Sequence, residues 1–320
     1  MANPPRVTVL GSLNMDISVT VPRLPAPGAT VLGSAAVFTP GGKGANQAVA
    51  AARLGGQVLM AGCVGDDDFG RQLLGNLRAE GIGADGVRVA ADVPTGLAMI
   101  SVDQAGENTI TVSPGANHEV GDQDVAGATA RAADVLVISA EIPVPAIRAA
   151  IAAIAAQAAG GRPRCVLNLA PAPDEAAAIV TGGVDWLVVN ETEAAAVLGH
   201  PVDGLAAAAR AAAELVTAGA RYAVVTAGAR GTAYAGDGEP STVEPSTVEP
   251  FRVDAVDSVG AGDAFVGALS VALAAGVPAA EAVRAASAAG ATAATRPGAQ
   301  AGMPRSEDIR VSTGVRWPVT

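Results

Sequence analysis

Aromatic side chains are scarce: two Trp, two Tyr and four Phe in 320 residues leave few platforms on which bases could stack. Cationic charge is also short, with 20 Lys and Arg against 31 Asp and Glu, a net charge of −11. A phosphate backbone would be repelled at long range, so nucleic acid is not an expected partner. A small anion remains possible, because local amides and a metal can reverse the field inside a pocket. Two His make a His-rich metal centre hard to build. Cys63 and Cys165 lie far apart and match no metal-ligand spacing, so they read as buried free thiols rather than a disulfide. No basic segment followed by a long apolar run opens the chain, so the expectation is a soluble cytoplasmic protein without a signal peptide. The most membrane-like stretch, Ala264 to Ala280, is interrupted by Gly267, Gly276 and Pro278. It reads as a buried core helix, and no membrane partner is expected.

Half of the residues are hydrophobic, enough to bury a substantial core. Short apolar runs at Arg6 to Leu10, Gln57 to Ala61, Val135 to Ile138, Cys165 to Leu169, Trp186 to Val189 and Tyr222 to Thr226 read as strands. Helices, most of them Ala-rich, are expected at Lys43 to Leu54, Phe69 to Glu80, Val144 to Ala159, Glu191 to Leu198, Leu205 to Ala218, Ala261 to Ala275 and Ala279 to Thr295. The alternation predicts an α/β fold with a mainly parallel sheet covered on both faces. Strand-like segments at Ile17 to Val21, Thr30 to Val37 and the hairpin Ala98 to Val112 suggest a small antiparallel flap, within about residues 12–40 and 95–114. No linker separates a second domain, so residues 1–320 are expected to form one. Ser241 to Pro245 and Ser246 to Pro250 repeat the same five residues and read as an enlarged surface loop.

Three stretches carry chemistry. In Asp257-Ser-Val-Gly-Ala-Gly-Asp263, the small residues Gly260, Ala261 and Gly262 precede a helix. Their amides can turn toward one point, with the macrodipole behind them, to make an anion site. Asp263 in the first turn is either a cap for that helix or a base for a hydroxyl attacking a bound phosphoryl group. In Pro40-Gly-Gly-Lys-Gly-Ala-Asn46, three glycines let the backbone approach a ligand, and Lys43 and Asn46 share one face of a helical turn. This is not a Walker A loop, since Gly44 stands where Ser or Thr is required. In Gly11-Ser-Leu-Asn14-Met-Asp16, an amide and a carboxylate share a face of an extended chain and can grip vicinal hydroxyls. Gly81-Ile-Gly83-Ala-Asp-Gly86 fits the dinucleotide fingerprint by letters but follows a helix, so it reads as a helix end and loop. Asn190-Glu-Thr192 has glycosylation spacing without a secretory context.

Taken together, these stretches resemble the ribokinase, or phosphofructokinase-B, family of sugar kinases over nearly the whole chain. Gly11 to Asp16, Gly41 to Gln47, Gly106-Glu-Asn108 with Gly115-Ala-Asn117, Asn190-Glu-Thr-Glu193 and Asp257 to Asp263 follow one another in that family's order. The resemblance implies an α/β/α sandwich with a small β lid closing over the sugar, and transfer of the ATP γ-phosphate to a sugar such as ribose. Asn14, Asp16, Gly42, Lys43, Asn46 and Glu141 would hold the sugar, with Asp263 as base and the Gly260 to Gly262 amides as anion hole. Asn190, Thr226, Gly228, Gly231, Gly262 and Ser287 would line the ATP site, and Mg²⁺ would lie near Asn190 and Glu193 through water. A monovalent cation, usually potassium, would sit by Asp257 and the carbonyls of Val259, Ala293, Arg296 and Gly298. Gly302 stands where a Ser hydroxyl is common, and Ser287 replaces a bulkier His or Asn. A homodimer through the lid is implied as well. Another acceptor (deoxyribose, fructose, a nucleoside), a non-catalytic sugar sensor and a dinucleotide-dependent dehydrogenase are the competing readings, the last disfavoured by the misplaced glycine match.

Overall fold

The computed structural model describes residues 3–158, 161–236 and 244–319. Its strands are β1 (Arg6–Leu10), β2 (Asn14–Thr20), β3 (Val37–Gly41), β4 (Gln57–Gly65), β5 (Gly83–Ala90), β6 (Gly96–Val102), β7 (Asn108–Ser113), β8 (Val135–Ser139), β9 (Arg164–Asn168), β10 (Trp186–Asn190), β11 (Tyr222–Thr226), β12 (Thr232–Gly236) and β13 (Ser246–Val248). Its helices are α1 (Lys43–Arg53), α2 (Asp68–Ala79), α3 (Asp122–Thr129), α4 (Val144–Ala155), α5 (Ala176–Val180), α6 (Glu191–Leu198), α7 (Leu205–Thr217), α8 (Ala261–Ala274), α9 (Ala279–Ala293), α10 (Ala299–Gly302) and α11 (Ser306–Thr313).

Nine strands form one sheet in the order β13-β12-β11-β10-β9-β8-β1-β4-β5. Every pair from β5 to β11 is parallel, and β12 and β13 add an antiparallel edge. The parallel strands inside the sheet are buried on both faces, which explains their Val, Leu and Ile runs; β5, at the edge, is half-exposed and has no such run. Strand alternation divides the core. Val7, Val9, Val137, Val166, Val188 and Val224 face α1, α8 and α9, whereas Leu10, Ile138, Leu167, Val189 and Val225 face α4, α6 and α7. The Ala264 to Ala280 stretch yields the buried α8, and among the described residues no helix is long and apolar enough to cross a membrane. Cys63 and Cys165 are buried free thiols, and burial pushes the Cys165 thiol up to about 12.

The second sheet has the order β3-β2-β6-β7. Its β2–β3 and β6–β7 pairs are antiparallel, and the two meet through a parallel β2–β6 seam.

Several boundaries depart from the sequence-based expectation. Thr30 to Ala36 is not a strand; pairing with β2 begins at Val37. Helix α4 closes at Ala155, short of Ala159, and the Gln157 side chain just beyond it donates to the Thr129 carbonyl. Gly81 does end a helix with φ +75°, but Gly83 to Gly86 opens β5 rather than forming a loop. In the five-residue repeat, the copy from Ser246 supplies the edge strand β13 rather than a loop. Most of the first copy, Ser241 to Val243, lies outside the described residues.

Candidate active site

The carboxyl ends of the parallel strands gather the polar residues onto one face. Ser139, Asn168, Asn190 and Thr226 each follow by two positions a valine of the α1/α8 side, so all four point toward those helices. Across β10 and β11, Asn190 and Thr226 are direct partners.

Helix α8 begins at Ala261, so Ala261 and Gly262 belong to its first turn rather than preceding it, with Gly260 as N-cap at φ +79°. The Ala261 amide bonds back to the Ser258 carbonyl, whereas the Gly260 and Gly262 amides find no acceptor among the described residues. Asp263 does not cap this helix. Its Oδ2 accepts from Asn46 Nδ2 at 3.0 Å and its Oδ1 from Gln47 Nε2 at 3.0 Å. The carboxylate is therefore held to the side of the bare amides, and they are left open. Gly267, one turn beyond Asp263, makes this approach possible. A Cβ there would stand 2.6 Å from Ala50 Cβ and 2.7 Å from the Gln47 carbonyl, so only glycine lets α8 lie this close to α1.

Helix α1 begins at Lys43, with Gly42 as N-cap at φ +88° against the backbone of Leu13 and Asn14. Glu141 Oε2 accepts from Ser12 Oγ at 2.6 Å and from the Lys43 amide at 3.1 Å, which ties the β8 loop to both glycine turns. Asn14 Oδ1 accepts from Asn117 Nδ2 at 2.7 Å, and Asn117 also brackets Leu13 through its amide and carbonyl. Asp16 follows Asn14 on the same face of β2.

The electrostatics are those of a cluster of acids around one cation. Lys43 is the only lysine in the chain. The Asp263 charge raises its ammonium above the usual range, with burial opposing and Glu141 and Glu193 adding. Burial, then the Glu141 and Asp263 charges, push Asp16 up to about 7. Burial raises Glu193 as well, against its hydrogen bond with Asn190 and the Lys43 charge.

Asn190 and Glu193 form a reciprocal capping box at the start of α6: Asn190 Oδ1 accepts from the Glu193 amide, and Glu193 accepts from the Asn190 amide and Nδ2. Both Glu193 oxygens are engaged there, which suits contact with a metal through water. Gly228 and Gly231 flank a short turn after β11 at φ +55° and +110°. Ser287 Oγ lies 3.2 Å from Thr232 Oγ1 and donates to the Val283 carbonyl.

Asp257 uses both oxygens to join two loops, accepting from the Val259 amide at 2.9 Å and the Gly298 amide at 2.8 Å. A Cβ on Gly302 would stand 3.2 Å from the Ala293 carbonyl and 3.3 Å from the Arg296 carbonyl, so these oxygens converge where a Ser hydroxyl would project. An all-oxygen set of this kind suits a hard cation. The same segment touches the anion turn, since a Cβ on Gly260 would meet Ala299 Cα at 2.9 Å. Among the described residues there is no cluster of three or more His, Cys, Asp or Glu that could hold a metal unaided.

Gly106 to Asn108 forms the exposed tip of the β6–β7 hairpin, where Asp103 Oδ1 accepts from the Ala105 and Glu107 amides. Sequence reasoning gave no role to Ser12, Gln47, Asn117 or Asn168. Asn168 carried a usable signal, a polar residue closing an otherwise apolar buried strand.

Fold and sequence agree on the class of protein. The model of the pfkB family of carbohydrate kinases matches residues 4–306. Ribokinase of Haemophilus influenzae is 34% identical over 307 residues, covering 94% of this chain and 96% of that protein. Deoxyribokinase of Salmonella typhimurium is 34% identical over 266 residues, covering 82% and 83%. The structure of Arabidopsis thaliana ribokinase complexed with ribose and ATP aligns with a TM-score of 0.82 at 29% identity, over 96% of this chain and 98% of that one. The chain belongs to the pfkB family of carbohydrate kinases. It is an ATP-dependent sugar kinase.

Proposed function

We propose that this enzyme phosphorylates D-ribose at its 5-hydroxyl, giving ribose 5-phosphate and ADP. The observation that carries the reading is the placement of the Asp263 carboxylate beside, and not upon, the open amides of Gly260 and Gly262. Asp263 takes the proton of the primary hydroxyl as that oxygen attacks the γ-phosphorus, and the amides from Gly260 to Gly262 stabilise charge on the transferring group. Asn14, Asp16, Gly42, Lys43, Asn46 and Glu141 hold the sugar hydroxyls. Asn190, Thr226, Gly228, Gly231, Gly262 and Ser287 line the nucleotide. Asn190 and Glu193 would hold Mg²⁺ through water, where the ion would supply counter-charge to the phosphates. Asp257 and the carbonyls of Val259, Ala293, Arg296 and Gly298 would hold potassium, and through the Gly260–Ala299 approach the loop so ordered would keep the anion turn in shape.

The small sheet acts as a lid on one compact domain, and a second copy pairs with its outer face. In support, Phe38 and Met99, on the face of that sheet away from Asp16, are both exposed.

A coupled assay of ADP release over ribose, deoxyribose, fructose and a nucleoside tests the acceptor. Deoxyribose belongs in the panel because the Salmonella deoxyribokinase is as similar by identity as the Haemophilus ribokinase. Asp263→Asn is expected to lose at least about two orders of magnitude in kcat while calorimetric ribose binding survives. A fully active variant removes the assignment. Equal rates in sodium, potassium and bulky organic cation buffers would count against the cation.

A further inference from the structure

We propose that Gln47 and Asn168 form a positioning relay that fixes the Asp263 carboxylate from the main chain of the central sheet. The proposal rests on the reading of Asp263 as the base. The relay starts at the Val188 carbonyl on β10, which accepts from Asn168 Nδ2 at 3.2 Å. With its nitrogen so engaged, Asn168 presents Oδ1 to Gln47 Nε2, 2.9 Å away. The Gln47 amide nitrogen has two hydrogens, and the second goes to Asp263 Oδ1 at 3.0 Å.

Each amide in this chain has one workable orientation. Reversing Asn168 would set its oxygen against the Val188 carbonyl. Reversing Gln47 would set its oxygen against both Asn168 Oδ1 and the carboxylate. The direction of donation therefore runs from sheet to acid without ambiguity.

Gln47 is fully buried, and its Oε1 has no hydrogen-bond partner among the described residues. An unpaired buried oxygen is a cost that a leucine or methionine of similar length would avoid. Packing alone therefore does not explain glutamine here. Its two donated hydrogen bonds do. Asn46 holds the other carboxylate oxygen, so the group is restrained at both ends and cannot turn about its last torsion.

The test uses Gln47→Leu, Gln47→Glu, Asn168→Leu and the Gln47→Leu/Asn168→Leu double variant, with kcat followed against pH. Gln47→Leu is expected to lower kcat about tenfold to a hundredfold with little change in ribose affinity. Its acidic limb should move upward, because a hydrogen bond to the carboxylate is removed. Asn168→Leu should act in the same direction, and the double variant should be no worse than Gln47→Leu alone, because both break one chain. An unmoved acidic limb in folded Gln47→Leu, or strictly additive losses in the double variant, overturns the relay. If Gln47→Leu fails to fold, Gln47→Glu decides, since it keeps the shape but turns a like charge on Asp263. Its limb should rise further, and an unmoved limb again overturns the idea. Asp263→Asn in the same series separates the two readings: wild-type turnover there sinks the base itself, while a dead Asp263→Asn beside an unaltered Gln47→Leu sinks only the relay.

Discussion

Gly41 lies directly against the Asp16 carboxylate: a Cβ built on Gly41 would stand 2.1 Å from Asp16 Oδ2. The β2–β3 register sets Gly41 opposite Asn14 and Thr39 opposite Asp16, so the hairpin itself presses this backbone onto the acid. Any side chain at position 41 must push the carboxylate aside. Gly41→Ala is expected to raise the ribose KM about tenfold or more, with a smaller effect on kcat and a folded protein. Steady-state kinetics at saturating ATP measure this, and an unchanged KM contradicts it.

Asp16 keeps its proton to about pH 7 in the folded protein, against an ordinary value of 3.8. Between those values the native state binds more protons than the unfolded chain, so the contribution of this group to stability falls as pH rises through that window. Asp16→Asn should be as stable as the parent near pH 4 and more stable above pH 7, by about 1–3 kcal/mol once solvent screening is allowed for. Urea unfolding of both proteins across pH 4–8 gives the difference curve, and a flat one removes the argument. Above pH 7 the same variant should bind ribose more weakly, because a carboxylate acceptor becomes a neutral amide.

The carbonyls of Ala293 and Arg296 both face the position that a Cβ on Gly302 would take. Gly302→Ser is expected to place a hydroxyl in that set and tighten potassium activation several-fold. Activation constants for potassium and sodium, taken at fixed ribose and ATP, report the change. A serine variant with unaltered constants would mean that position 302 does not look onto a cation.

The parallel strands inside the sheet were legible because burial on both faces writes an apolar run into each one, whereas β5, half-exposed at the edge, has none. The antiparallel edge was not. Strand β12 is five residues of Thr, Ala, Tyr and Gly, and β13 is three residues from the repeat, and neither carries a run or an alternation. Helix α11 was equally hidden, since only Ile309 of its eight residues is buried. The glycine turns and Asp263 stood out as motifs because a close backbone approach demands glycine in the sequence itself. Gln47 and Asn168 did not stand out. Their roles depend on α1, β9 and α8 meeting through Gly267, a contact between segments more than 100 residues apart in the chain.

The central sheet is chemically one-sided. Its α1/α8/α9 flank carries Asn168, Asn190 and Thr226 at the strand tips, while the α4/α6/α7 flank meets the strands with Leu, Ile, Val, Ala and the two Cys. Volume-preserving exchanges on that second flank should therefore be felt in melting temperature and leave turnover almost untouched. A designer wishing to stiffen, tag or attach this protein has half a molecule in which to work without approaching the sugar.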